Sequence, residues 1–209
     1  MISIINYNAG NLRNVQKMFD LYECKTVITS LSDDIEKSTA LILPGVGHFQ
    51  DGMNNLENLG LVQTIRKVVQ KNKIPILGIC LGMQLFARAG FEGEERAGLN
   101  LLDMHCKHLN VNDNSLRLPH IGWNSIKVES SSRLLKNIPN NSDFYFVHNY
   151  AIQAMDKSII SSTAYYGNDF VASIEYNNIY GTQFHPEKSQ KYGKIVIKNF
   201  IDIINSYNQ

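Results

Sequence analysis

One cysteine in this chain sits between two glycines at a spacing that suits nucleophilic chemistry, Gly78-Ile79-Cys80-Leu81-Gly82. The apolar run Ile74-Pro75-Ile76-Leu77 before it reads as a strand, and Met83-Gln84-Leu85-Phe86-Ala87 after it as the start of a helix. A strand that turns sharply into a helix through such a segment is a nucleophile elbow with cysteine in place of serine. The glycines let backbone and substrate approach closely, and the helix N-terminus beneath the sulfur favours thiolate over thiol. Alone, the pattern also fits a structural cysteine in a tight turn. A thiolate that attacks an amide needs a general base and a group to orient that base. His185-Pro186-Glu187, after the strand-like residues 179–184, offers both. Pro186 stiffens the segment, and Glu187 can fold back onto the ring nitrogen that does not face the sulfur. A site for a developing oxyanion is the third requirement. Leu43-Pro44-Gly45-Val46-Gly47-His48-Phe49 leaves its peptide groups unshielded, so N–H groups at Val46 and Gly47 can join that of Leu81.

These residues need a scaffold that brings positions 45, 80 and 185 together. The first half alternates short apolar runs with amphipathic segments. Strands are expected at residues 2–5, 26–29, 40–43 and 74–79, and a helix at residues 61–72, with Leu61, Ile65, Val68 and Val69 on one stripe. Leu12, Val15, Phe19 and Tyr22 recur at helical spacing. The second half is strand-rich, at residues 125–128, 144–147, 159–165, 170–176 and 179–184. Hairpin turns are expected at Tyr166-Gly167-Asn168-Asp169 and Asn177-Asn178, and a last helix at residues 195–204. The pattern predicts an α/β fold: a mixed, mostly parallel central sheet flanked by helices, in a single domain over residues 1–209.

Composition narrows the function classes. The chain is 44% hydrophobic with a formal net charge of +1, so nothing draws it electrostatically to nucleic acid or an anionic membrane. No apolar run is long enough to span a bilayer, and the first residues read as a strand rather than a signal peptide. Three cysteines at unrelated spacings argue against a disulfide framework and for a reducing cytoplasm. Cys24 is expected to pack. Cys106 lies between His105 and His108, but a fourth ligand and a zinc spacing are missing, so no metal is expected. No cofactor is required.

The three motifs, together with Pro119-His120-Ile121-Gly122-Trp123-Asn124 and Tyr145-Phe146-Val147-His148-Asn149-Tyr150, closely resemble the class I glutamine amidotransferases. Within that family they are most similar to the glutaminase subunits of imidazole glycerol phosphate synthase, over essentially the whole chain. The resemblance implies a flavodoxin-like fold and the triad Cys80, His185 and Glu187, with Val46, Gly47 and Leu81 at the oxyanion hole. It implies that Gln84 and Glu92 hold the amino-acid end of L-glutamine, with His148 and Asn149 lining the same pocket. A carboxylate such as Glu92 suits the substrate's α-ammonium group. The implied partner is a (β/α)8-barrel cyclase that receives ammonia, docked through Asn11, His120, Trp123 and Lys188. For Trp123, core packing is the alternative to interface. Two stretches depart from the pattern. Asn6 stands where the family has aspartate, with Asn8-Ala9 before Gly10-Asn11, and Gly90-Phe91-Glu92-Gly93-Glu94-Glu95 resembles paralogous subunits that supply ammonia for acetamidino sugars of surface polysaccharides. A Cys-His hydrolase without ammonia transfer, and a binding module that has lost the chemistry, are the more distant readings.

Overall fold

The computed structural model describes residues 1–113, 115–129 and 131–207. The chain begins β1 (Ile2–Ile5), α1 (Leu12–Asp20), β2 (Thr26–Thr29), α2 (Ser32–Glu36), β3 (Ala40–Gly45) and α3 (Phe49–Asn58). It continues through α4 (Leu61–Arg66), prolonged by a π-helical turn over Lys67–Lys71, to β4 (Ile76–Cys80) and α5 (Leu81–Gln84). Strands β5 (Ala89–Gly90), β6 (Arg96–Ala97), β7 (Met104–His108), β8 (His120–Val128), β9 (Ser142–His148) and β10 (Tyr150–Ala154) follow. The chain closes with β11 (Ile160–Tyr165), β12 (Asp169–Tyr176), β13 (Ile179–Thr182) and α6 (Gln190–Tyr207).

Among the described residues, a 9-stranded sheet runs in the order β2-β1-β3-β4-β13-β12-β11-β8-β9. From β2 to β13 every neighbour is parallel, and from β13 to β9 every neighbour is antiparallel. The sheet is therefore mixed, and its parallel half carries the elbow. The parallel strands read as unbroken apolar runs because helices bury both faces. Ile4, Ile42 and Leu77 pack on one face with Phe19 of α1 and Phe200 of α6. Ile5, Leu41, Leu43 and Ile76 pack on the other with Leu56 of α3 and Ile65 of α4.

Both expected hairpins form, as the antiparallel pairs β11–β12 and β12–β13. A second, 4-stranded sheet, β10-β7-β5-β6, was not anticipated. Two of its strands are two residues long, too short to carry a period. Helix α3 also escaped the pattern, because Gly52, Asn54 and Asn55 dilute the buried Phe49, Met53 and Leu56. The elbow helix is shorter than expected. Its last amides tighten to bonds from Phe86 to Met83 and from Ala87 to Gln84, and the chain then enters β5.

Candidate active site

Strand β4 ends at Cys80, beside β13 in parallel register with Ile79 opposite Thr182. The two chains thus leave the sheet side by side, one as the elbow and the other toward His185. Cys80 has φ 52° and ψ −109°, a conformation a side chain rarely adopts, and strain of this kind gathers at functional sites. Two glycines make the turn possible. A Cβ on Gly82 would run into the Leu43 carbonyl oxygen, and one on Gly78 into the Met83 backbone. Leu81 opens α5, so its N–H has no acceptor within the helix, and the residue borders the cavity at the sulfur.

His185 is tied to strand β9 on its backbone side. Its N–H donates to Tyr145 O at 2.9 Å, and Ser189 Oγ donates to His185 O at 2.6 Å while accepting from Tyr145 N at 3.0 Å. Pro186 begins the tight turn Pro186–Lys188, which returns Glu187 to the ring, with Nδ1 at 2.8 Å from Glu187 Oε1. Nε2, the ring nitrogen turned away from Glu187, is buried without a hydrogen-bond partner among the described residues. Burial pulls the imidazole pKa down, yet the charge of the nearby Cys80 sulfur and Glu187 together outweigh burial and raise it to about 10. The ring is set to hold a proton against a thiolate.

A cavity of about 380 Å³ opens over the sulfur, a size suited to a small molecule. Val46, Gly47, Leu81, Gln84, Glu92 and Asn149 all border it. Gly47 has φ +118° and nothing near its missing Cβ, so the Val46–Gly47 peptide has room to turn. Glu92 does more than face the cavity. Its Oε2 accepts from Phe49 N at 2.8 Å and its Oε1 lies 2.8 Å from His48 Nδ1, which anchors the loop just beyond Gly47.

His148 borders the cavity with Asn149, as expected, with Nδ1 2.9 Å from Tyr150 O and Nε2 3.0 Å from His120 Nδ1. Burial, then the His120 ring, lowers its pKa to about 3, so the ring is neutral. The expected place of His120 is corrected. His120 is buried as well, stacked on Tyr166 and Phe146, and burial lowers its pKa to about 4. It cannot join a docking surface with Trp123, because 120 and 123 point to opposite faces of β8. Trp123 is 49% exposed, which excludes the core reading, and its exposed companion is Ile121. Tyr145 lies opposite Trp123, with the Lys188 ammonium 5.1 Å from the Tyr145 ring centroid. Asn11 is exposed and caps α1 by accepting from Asn14 N at 3.2 Å.

Elsewhere, Cys24 is half-buried against the core and Cys106 is buried, while His105 and His108 pack edge-on against Phe91 and Tyr150. Sequence reasoning missed two groups beside the sulfur. Gln183 is fully buried and its Nε2 reaches Cys80 Sγ. Tyr7 is fully buried against Gly45, its hydroxyl unpartnered among the described residues, and burial with the nearby Cys80 charge raises its pKa. Removing an unsatisfied hydroxyl relieves a penalty of about 1 kcal/mol or more. Tyr7→Phe is therefore expected to raise the melting temperature by about 2–4 °C, read by calorimetry.

An elbow cysteine, a carboxylate-held imidazole and a turnable donor loop around one small cavity define an acyl-transferring enzyme of the thioester type. The chain belongs to the class-I glutamine amidotransferases, whose family model, "Glutamine amidotransferase class-I", matches residues 3–203. At the level of individual relatives, imidazole glycerol phosphate synthase subunit HisH 1 of Campylobacter jejuni (strain RM1221) is 42% identical over 201 residues, covering 96% of this chain and 99% of the relative. The HisH subunit of Methanocaldococcus jannaschii is 43% identical over 204 residues, covering 98% and 100%. A crystal structure of a glutamine amidotransferase shares the fold, with a TM-score of 0.76 at 16% identity and coverage of 98% and 100%.

Proposed function

We propose that this chain, a single amidotransferase domain, is the glutaminase subunit of an imidazole glycerol phosphate synthase, working in the cytoplasm in histidine biosynthesis. The observation that carries the reading is Cys80 at the wall of the cavity, with the buried His185–Glu187 pair following the strand that lies beside its own. His185 takes the proton of the Cys80 thiol, and the resulting thiolate attacks the side-chain carboxamide of L-glutamine. The tetrahedral oxyanion is received by the N–H groups of Leu81 and the Val46–Gly47 loop. His185 then protonates the leaving nitrogen, so that ammonia departs and a γ-glutamyl thioester remains. With His185 as base, water cleaves the thioester, which releases glutamate and restores the sulfur. Gln84, Glu92 and Asn149 hold the amino-acid end.

Ammonia passes to a (β/α)8-barrel cyclase, which completes imidazole glycerol phosphate and aminoimidazole carboxamide ribotide. Exposed Ile121, Trp123 and Lys188, with the half-buried Tyr145, form an aromatic and cationic patch suited to docking it. Strand β9 links this patch to the chemistry, since its Tyr145 backbone holds His185 and Ser189 and its Val147 carbonyl touches Cys80 Sγ at 3.7 Å. Docking and acceptor binding reorient the Val46–Gly47 peptide, a population shift of a few kcal/mol. The isolated chain is then nearly idle. The test is recovery from native extract of a one-to-one complex with a barrel-type synthase, plus glutamine hydrolysis measured with and without it. Full turnover by the chain alone, or a partner of the acetamidino-sugar pathway, overturns the assignment. Trp123→Ala is expected to weaken binding of the partner at least about 30-fold, at about 2 kcal/mol for an aromatic anchor, with the fold unchanged, as measured by calorimetric titration.

A further inference from the structure

Two side-chain amides run from the cavity wall to the nucleophile. Gln84 Nε2 donates to Tyr150 O at 2.8 Å and to Gln183 Oε1 at 3.1 Å, and Gln183 Nε2 donates to Cys80 Sγ at 3.6 Å. Their direction is forced. Tyr150 O is a carbonyl and only accepts, so Gln84 must turn its NH2 toward it. That same NH2 meets Gln183, which has to present its oxygen, and the Gln183 NH2 is left aimed at the sulfur. One backbone carbonyl thus orients two amides and delivers a donor to Cys80.

The sulfur also contacts Val147 O at 3.7 Å, which can only accept. A thiol satisfies that carbonyl with its S–H, whereas a thiolate has nothing to offer it. The Gln183 donor has the opposite preference, because an N–H bonds a charged sulfur far more strongly than a neutral one. The strained elbow holds the sulfur in contact with both.

We propose that Gln183 is a fourth group acting on the nucleophile, donating to the Cys80 thiolate and held in register by Gln84. The inference rests on Cys80 as the nucleophile of the reaction proposed above. Because Gln84 also borders the cavity, the amide that orients Gln183 is one the substrate touches.

The test reads the sulfur directly, through the rate of Cys80 alkylation by iodoacetamide as a function of pH, on the full chain, with the labelled peptide identified by mass. No glutamine turnover is needed, so failure of this inference and failure of the assigned reaction are told apart. The titratable groups around the sulfur are His185 with Glu187, His148 with His120, Tyr7 and Cys106, and His48, Glu92, Tyr150 and Lys188 around the cavity. All of them are common to the wild type and the variants, so the test reads the difference between profiles.

Gln183→Met fills similar space without the donor and leaves Gln84 Nε2 its bond to Tyr150 O. It is expected to move the midpoint of the profile up by about one pH unit and to slow alkylation at neutral pH by about tenfold. Gln84→Met, which leaves Gln183 in place without its anchor, is expected to move the midpoint in the same direction by less. A Gln183→Met profile that overlays the wild type overturns the proposal. Should that variant not fold, an unchanged profile in Gln84→Met overturns it instead.

Discussion

Cys80→Ala is expected to abolish glutamine-dependent synthesis, by on the order of 10⁴-fold or more, while synthesis supported by added ammonium salts continues at the wild-type rate. The asymmetry follows from what the sulfur does. In the proposed reaction each ammonia is released as the γ-glutamyl group passes to the sulfur, and the sulfur has no part in the step that consumes ammonia. Steady-state assays of the reconstituted complex with each nitrogen source measure both arms. Loss of both would make Cys80 structural. The backbone supplies a second readout, because Cys80 has φ 52° and ψ −109°. A Cβ at that conformation costs about 1–3 kcal/mol, which the wild-type protein sustains to aim the sulfur. Cys80→Gly relieves the strain and Cys80→Ala keeps it. The glycine variant should therefore be the more stable of two inactive proteins, by about 1 kcal/mol or more in urea unfolding. A nucleophile whose removal stabilises the fold is held in place for function.

The elements that carry the chemistry were legible in sequence because their signals are local. An apolar run, two glycines around a cysteine and a rigid His-Pro-Glu need no knowledge of distant partners, and residues 26–29 form the expected strand without adjustment. What the sequence hid depends on pairing. Strands β5 and β6 exist only because β7 and each other are present to receive their hydrogen bonds. Helix α3 buries Phe49, Met53 and Leu56 at proper helical spacing, but its asparagines and glycine read as loop.

At the site the same division holds. Cys80, His185 and Glu187 stood out in their motifs, whereas Gln183 did not, because a glutamine just after an apolar strand shows no purpose until the sulfur and Gln84 are in contact with it. His120 illustrates the opposite error. Its motif placed it with Trp123, but strand alternation turns it inward, where it supports His148. Reading the period of residues 120–123 with the motif would have selected Ile121 as the exposed neighbour.

His185 carries the second large effect, and two substitutions separate its chemistry from its packing. Asparagine at 185 places an amide N–H near the position of Nδ1, so it can keep Glu187 satisfied while removing Nε2. His185→Asn is therefore expected to fold and to slow thioester formation by on the order of 10⁴-fold, followed as the single-turnover burst of ammonia. His185→Ala strands the Glu187 carboxylate, whose Oε2 is already buried without a partner among the described residues. It should lose the same activity and a further few kcal/mol of stability. The pH dependence gives the sign. A folded-state pKa of about 10 lies above the ordinary 6.5 of histidine, so the protonated ring contributes stability fully below about pH 6.5 and loses it as pH rises through 10. The gap in urea midpoint between wild type and His185→Asn should therefore narrow steadily from neutral to alkaline pH. A gap that stays constant across that window would separate His185 from the sulfur, and with it the pairing on which thioester chemistry at this cavity depends.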